Sequence, residues 1–196
     1  MPEESPEAPQ FSLSVSQTVT EERQFGKELH MAEEIRRPAM SATLSLYVQF
    51  SKYPMGNTLF SKALSFRAPY FSTIHPRVTE LRSGHCTVEI KDRRSIRNHL
   101  GSIHAGALCT LAELTGGLAV EATLPSNLRW IPKGMTVQYI KKAKGRLVGR
   151  CSVDPDAIVP GDLNVPLEIS DDSGESVMNA VIVFYISERR DKNRAA

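Results

Sequence analysis

In the stretch NHLGSIHAGALCTLAELTGG, residues 98–117, one carboxylate, Glu113, stands in a run that is otherwise almost wholly apolar. An unpaired buried charge is costly, so Glu113 must be paired, exposed or used. Asn98 and His104 lie just upstream. Glu113 could act as general base or nucleophile, with its proton affinity set by apolar surroundings. Asn98 and His104 offer hydrogen bonds to a water or a carbonyl. Ser102 is placed to cap a helix beginning near HAGA, whose first backbone N–H groups are unpaired within it. Such groups can hold a carbonyl oxygen that gains charge. Together these parts suit hydrolysis of an activated acyl group. His104 and Glu113 lack metal-ligand spacing and stand apart from any Cys or His cluster, so neither a metal nor a cofactor is expected.

Spacing adds a constraint. His104 and Glu113 are nine residues apart. On one helix that is about 900° of rotation, about 180° net, and roughly 13 Å of rise. They cannot meet within one chain. If they cooperate, the glutamate of one subunit faces the helix start of another, which predicts a dimer with two shared sites. Plainer roles stand beside these. His104 could cap or pack, and Glu113 could reach solvent or pair with an arginine. Gly116 and Gly117 each cost roughly 1 kcal/mol relative to Ala in a helix interior, which close backbone packing alone would explain.

The elements that must position these residues follow from patterning. Ile103 to Ala122 is long enough for a helix, and its apolarity all round predicts burial on most sides. Upstream, residues 41–64 read as helix interrupted near Pro54 and Gly56. HPRVTELRSG and HCTVEIKD read as strands joined at Gly84. Downstream, GMTVQYIKKAKG and RLVGRCSVD are expected to form a hairpin. VPLEISD and SVMNAVIVFYIS form another, turning at DDSG. The last strand is apolar on both faces from Val181 to Ile186, which predicts a central place in the sheet. This order implies an α+β fold, an antiparallel sheet curled around one helix.

The chain has 196 residues, is 41% hydrophobic and 23% charged, and carries a net charge of +2. That suits one domain plus a tail and gives no sign of a dedicated nucleic-acid binder. No apolar run reaches the roughly 20 residues of a membrane span. Residues 1 to about 20 read as a disordered tail, and Glu21–Arg37 as a helix with a narrow stripe of Phe25, Leu29, Ala32 and Ile35. The acidic, proline-rich start is unlike a secretory or transit peptide. Cys86, Cys109 and Cys151 show no CxxC pair or disulfide spacing. A cytoplasmic protein is expected, with residues 1–40 an extension and 41–190 the domain.

The pattern Asn98, His104, a small residue, Gly106 and an acid nine residues after the histidine resembles the hotdog-fold acyl-CoA thioesterases, nearest the phenylacetate-pathway type. The resemblance spans about residues 41–187 and includes Tyr-x-x-x-Ala-x-Gly at Tyr139 to Gly145. It implies a hotdog fold. It also implies Glu113 as base or nucleophile, the Ala105 N–H as oxyanion donor, His104 as its support and Asn98 as the residue that positions water or thioester. Acid and loop then come from different subunits of a homodimer or a dimer of dimers. The sequence departs at three points: Ala105 stands where Gly is frequent, Glu113 where Asp is frequent, and Pro132 near a usual Ser or Thr.

Lys141, Lys142, Lys144, Arg146 and Arg150, with Arg93, Arg94 and Arg97, could bind the phosphates of coenzyme A or form a solvated basic face. Little aromatic interleaving argues against nucleic acid. A hotdog dehydratase would show a wider His-to-acid gap with a proline-rich segment between, which HAGALCTLAE lacks. A noncatalytic acyl-CoA-binding module remains the alternative.

Overall fold

The computed structural model describes residues 40–189, and the expected tail and helix before residue 40 lie outside them. Ser41 caps the first helix, α1 (Ala42–Ser51), its hydroxyl accepting from the Leu44 N–H at 3.2 Å. The chain breaks at Pro54 and Met55, and α2 (Gly56–Arg67) follows. A short 3-10 turn, Pro69–Ile74, leads into β1 (Arg77–Arg82) and β2 (His85–Ile90). These form the expected hairpin, and Gly84 takes the left-handed φ of 76° that its turn needs.

The central helix, α3, runs Ala105–Thr123. Four strands follow: β3 (Leu128–Tyr139), β4 (Leu147–Ser152), β5 (Gly161–Ser170) and β6 (Ser176–Glu188). All pair antiparallel in one six-stranded sheet of order β1-β2-β4-β5-β6-β3. This is the expected α+β architecture, with the sheet packed about α3.

Two expectations are corrected. β3 and β4 do not form a hairpin, since β3 pairs with β6 while β4 inserts between β2 and β5. The link between them, residues 140–146, exceeds the two to five residues usual in a hairpin loop. It carries the chain from the sheet's end to its middle, held on the way by the Ile103 N–H donating to the Ala143 carbonyl at 2.9 Å. β6 is interior but lies next to the edge rather than centrally. Its inward residues Ala180, Ile182, Phe184 and Ile186 are buried, while outward Val181 and Tyr185 are exposed.

Small residues let α3 sit close to the sheet. A Cβ at Gly116 would meet Ile182 Cδ1 at 3.1 Å and Leu167 Cδ2 at 3.3 Å. A Cβ at Gly149 of β4 would meet Thr115 Oγ1 at 2.7 Å. Thr115 Oγ1 is itself held, donating to the Leu111 carbonyl at 2.7 Å. At the helix's other end, the Gly84 N–H donates to Thr123 Oγ1 at 2.7 Å and ties the β1–β2 turn to α3. Cys86 and Cys151 face each other across β2 and β4, both buried, and burial raises both thiols well above their usual range.

The contact at Gly149 sets a stability test. Gly149→Ala should cost about 1–3 kcal/mol through overpacking against Thr115, read by urea denaturation. A stability equal to the parent's would show that the helix can back away from the sheet.

Candidate functional site

α3 is wrapped on every side but one. Its accessible positions are His104, Ala105 and Gly106 at the start, then Cys109, Glu113 and Glu121, with Gly117 between the two glutamates. Steps of four residues place Ala105, Cys109, Glu113, Gly117 and Glu121 along one slowly winding ridge. β3 runs antiparallel beside this ridge. Its Tyr139 hydroxyl lies 3.3 Å from Cys109 Sγ, and its Trp130 ring lies over Gly117.

The start of the ridge is built by side chains. His104, not Ser102, is the N-cap, and its Nδ1 accepts from the Gly106 N–H at 2.9 Å. The accepting Nδ1 leaves the ring proton on Nε2 of an exposed side chain. Ser102 sits too early to cap the helix. It is buried, and its hydroxyl accepts from Asn98 Nδ2 at 2.9 Å. With Gly106 satisfied by the cap, the Ala105 N–H has no acceptor among the described residues. It faces outward from a helix N-terminus, where a developing negative charge is favoured.

Asn98 organises the loop. Its Oδ1 accepts from the Leu100 N–H at 2.9 Å and the Ser102 N–H at 3.2 Å, and its backbone N–H donates to the Ser102 carbonyl at 2.8 Å. The loop reaches α3 through the His104 N–H, which donates to the Ile96 carbonyl at 2.8 Å. The carboxamide oxygen is thus occupied by the turn, and only the Nδ2 group retains donor capacity.

Glu113 is exposed on the ridge, without an ion pair or hydrogen bond among the described residues. Eight residues separate it from Ala105, about 12 Å along the axis, so one chain does not bring the two onto one carbonyl. Glu113 lines a cavity of about 650 Å³ bounded by α1, α3, Phe71 and Trp130. Leu46, Leu114 and Leu118 give it apolar walls, and Glu121 and Thr43 lie at the end away from Glu113.

Much of the basic cluster is already paired. Lys141 bridges Asp171, at 2.6 Å, and Glu175, and both partners hold its pKa up. In return Lys141 pushes the Asp171 carboxyl well below its usual range. Arg146 Nε donates to Asp172 at 2.6 Å, and Arg97 Nε to Asp92 at 2.7 Å. Arg150 Nη1 donates to Ser170 Oγ at 2.7 Å. Lys142, Lys144 and Arg94 are exposed without an ion pair among the described residues. Arg93 Nη2 is buried with no hydrogen-bond partner among them. The same residues contain no group of three or more His, Cys, Asp or Glu side chains gathered to hold a metal, and no helix long and apolar enough to cross a membrane.

Cys109, Glu121 and Trp130 join this site although no motif marks them. The available signal was the four-residue spacing Cys109–Glu113–Gly117–Glu121, a row of neighbours one turn apart that drifts about 40° round the helix at each step.

Residues 56–186 match the family described as Domain of unknown function (DUF4442). No curated protein matches the chain. Among solved structures, the structural-genomics protein APC5556 is similar at 35% identity and TM-score 0.68, over 75% of this chain and 99% of that one. PA5026 from Pseudomonas aeruginosa, described as a protein of unknown function and probable thioesterase, is similar at 24% identity and TM-score 0.62, over 67% of this chain and 96% of that one. A variant of the phenylacetic acid degradation protein PaaI from Thermus thermophilus is similar at 18% identity and TM-score 0.52, over 60% of this chain and 97% of that one. The architecture shared with these structures is the hotdog fold.

The Tyr139–Cys109 contact carries a pH signature. The hydrogen bond to Cys109, aided by partial burial, pushes the Tyr139 hydroxyl up from 10.0 to about 12. Neutral tyrosine is therefore favoured in the fold. The contact's stability is present below pH 10 and is lost as pH rises through about 12. Cys109→Ala should bring one tyrosine back toward its ordinary ionisation, read by tyrosinate absorbance in an alkaline titration. Superimposable curves for parent and variant would rule the bond out.

Proposed function

We propose, for a chain that belongs to the DUF4442 family and has the hotdog fold, hydrolysis of acyl-CoA or acyl-carrier thioesters to free acid and thiol. The observation that carries this reading is the division of the site along α3. An unpaired Ala105 N–H stands at the helix start, and an accessible carboxylate stands about 12 Å further on beside a cavity lined in part by Leu46, Leu114 and Leu118.

A second copy of the chain completes the arrangement. β3 pairs only with β6 among the described residues, so its other edge is open. Two β3 strands joined antiparallel across a two-fold axis would continue the sheet and lay two α3 helices side by side in opposite directions. Glu113 of one protomer then approaches Ala105 of its partner. Lys142, Lys144 and Arg94 remain for coenzyme A phosphates, while Lys141, Arg146 and Arg97 would have to exchange a carboxylate for one. The expected cytoplasmic location belongs to this reading.

In the general-base version, Glu113 takes a proton from water and the hydroxyl adds to the thioester carbonyl. The Ala105 N–H stabilises the oxyanion. The intermediate collapses by breaking its carbon–sulfur bond, and the proton on Glu113 passes to the leaving thiolate. In the nucleophilic version, the carboxylate attacks the carbonyl directly and the carbon–sulfur bond breaks to expel the thiolate. Water then cleaves the resulting anhydride, regenerating the carboxylate and supplying the proton that the thiolate takes up. His104 holds the Gly106 N–H and so keeps the helix start in register. Asn98 holds the loop that supports it.

Thiol release from a panel of acyl-CoAs tests the activity. Glu113→Gln should lower the rate by about 10²–10⁴. Wild type that binds acyl-CoA without turnover would establish the binding-module alternative instead. Sharing between subunits has a separate test. Ala105→Pro removes only the N–H at a first helical position, after a His104 whose ψ of 141° accepts a following proline. Each single variant should be inactive, and an equal mixture refolded together should regain roughly a quarter of the wild-type rate, one intact site per heterodimer. No recovery in mixtures shown to contain heterodimers would defeat the shared site.

A further inference from the structure

We propose that the cavity beside Glu113 is an acyl pocket closed at its far end by Trp130, so that the chain accepts short and medium-length apolar acyl groups and rejects long ones. The proposal rests on the hydrolytic reading above and adds the substrate class and the residue that sets it.

The cavity follows α3 from Glu113 toward the helix's C-terminus. Gly117 lies one turn beyond Glu113, about 6 Å, and Glu121 two turns beyond, about 12 Å. Leu114 and Leu118 on α3, Leu46 of α1 and Phe71 give the cavity apolar wall, and Arg67 and Arg189 also line it. An alkyl or single-ring acyl group attached to a carbonyl near Glu113 would bury its surface here.

The far end is different. Both oxygens of Glu121 are engaged. Oε2 accepts from Trp130 Nε1 at 2.8 Å, and Oε1 accepts from Thr43 Oγ1 at 3.4 Å. One carboxylate thus ties β3, α3 and α1 together across the end of the cavity. The indole it holds cannot withdraw. Below it, the ring lies so near the helix that a Cβ on Gly117 would come within 3.0 Å of it. Behind it, Phe184 meets it edge-on, with ring centroids 5.1 Å apart at 90°, and Phe184 is fully buried. A longer chain would have to displace the indole and strip a carboxylate of its hydrogen bond, which costs more than one further methylene gains. Glu121 and Gly117 are positioning residues for the wall, and Trp130 is the surface the substrate meets.

Trp130 is the chain's single tryptophan, so its fluorescence reports the pocket directly. Hexanoyl-CoA should change the emission saturably, and palmitoyl-CoA should not produce the same change. In turnover, wild type should prefer hexanoyl-CoA over palmitoyl-CoA in kcat/KM. Trp130→Ala should shift that ratio toward palmitoyl-CoA by about ten-fold or more. Trp130→Phe, which keeps ring bulk, guards against a folding defect and should stay near the wild-type ratio. Equal ratios in wild type and Trp130→Ala would overturn the proposal, as would emission that ignores a hexanoyl-CoA shown to bind. Absence of thiol release from every substrate would remove the hydrolytic reading alone, and the fluorescence titration would still decide whether Trp130 bounds an acyl pocket.

Discussion

The close approach of α3 to the sheet is the contact on which the rest of the structure depends. Gly116 on the helix and Gly149 on β4 leave room only for the side chains opposite them, Ile182, Leu167 and Thr115. With those gaps filled, the sheet covers most of the helix, and Leu111, Ala112, Ala119 and Val120 have no measurable exposure. A helix so enclosed can present polar chemistry along only one line. Glu113 and Glu121 both lie on that line, and the unpaired Ala105 N–H lies at its head. Close packing therefore chooses where a carboxylate can stand in an otherwise apolar helix.

The same economy governs the loop before α3. Asn98 closes the turn, Ser102 fills it, and the His104 ring satisfies the second helical N–H. Among the described residues, these bonds leave the Ala105 N–H as the unpaired backbone donor of the first helical turn. An orphan N–H at a helix start is ordinary, but here its neighbour is capped from the side, so the donor is single and its direction is fixed. Such a donor needs no movement to meet a charge that develops in front of it.

Much of this was legible from residue order. The β1–β2 hairpin was marked by alternation on both sides of Gly84, and the central helix by a run too long for a strand. The β5–β6 hairpin was equally plain at DDSG. The partners of β3 and β4 were not legible, because pairing across a sheet depends on how all six strands pack on α3 rather than on the nearest turn. The cap was misplaced for a local reason. Ser102 is the better capping type, yet the turn around Asn98 claims its hydroxyl and hands the position to His104. In the site, Glu113 was conspicuous as a charge among apolar neighbours. Glu121 was not, since its partners Thr43 and Trp130 lie 78 and 9 residues away in sequence, and only the fold sets both against it.

The pairing of β3 with β6 also has a meaning in time. Synthesis proceeds from the N-terminus, so residues 128–139 leave the ribosome before residues 176–188 do. Until the last strand arrives, β3 has neither of its edges satisfied, and Trp130 lacks the Phe184 ring that backs it. The helix ridge can form early from local contacts, but the wall beside it cannot. In a growing chain, the half of the site that carries charge is ready before the half that gives it shape.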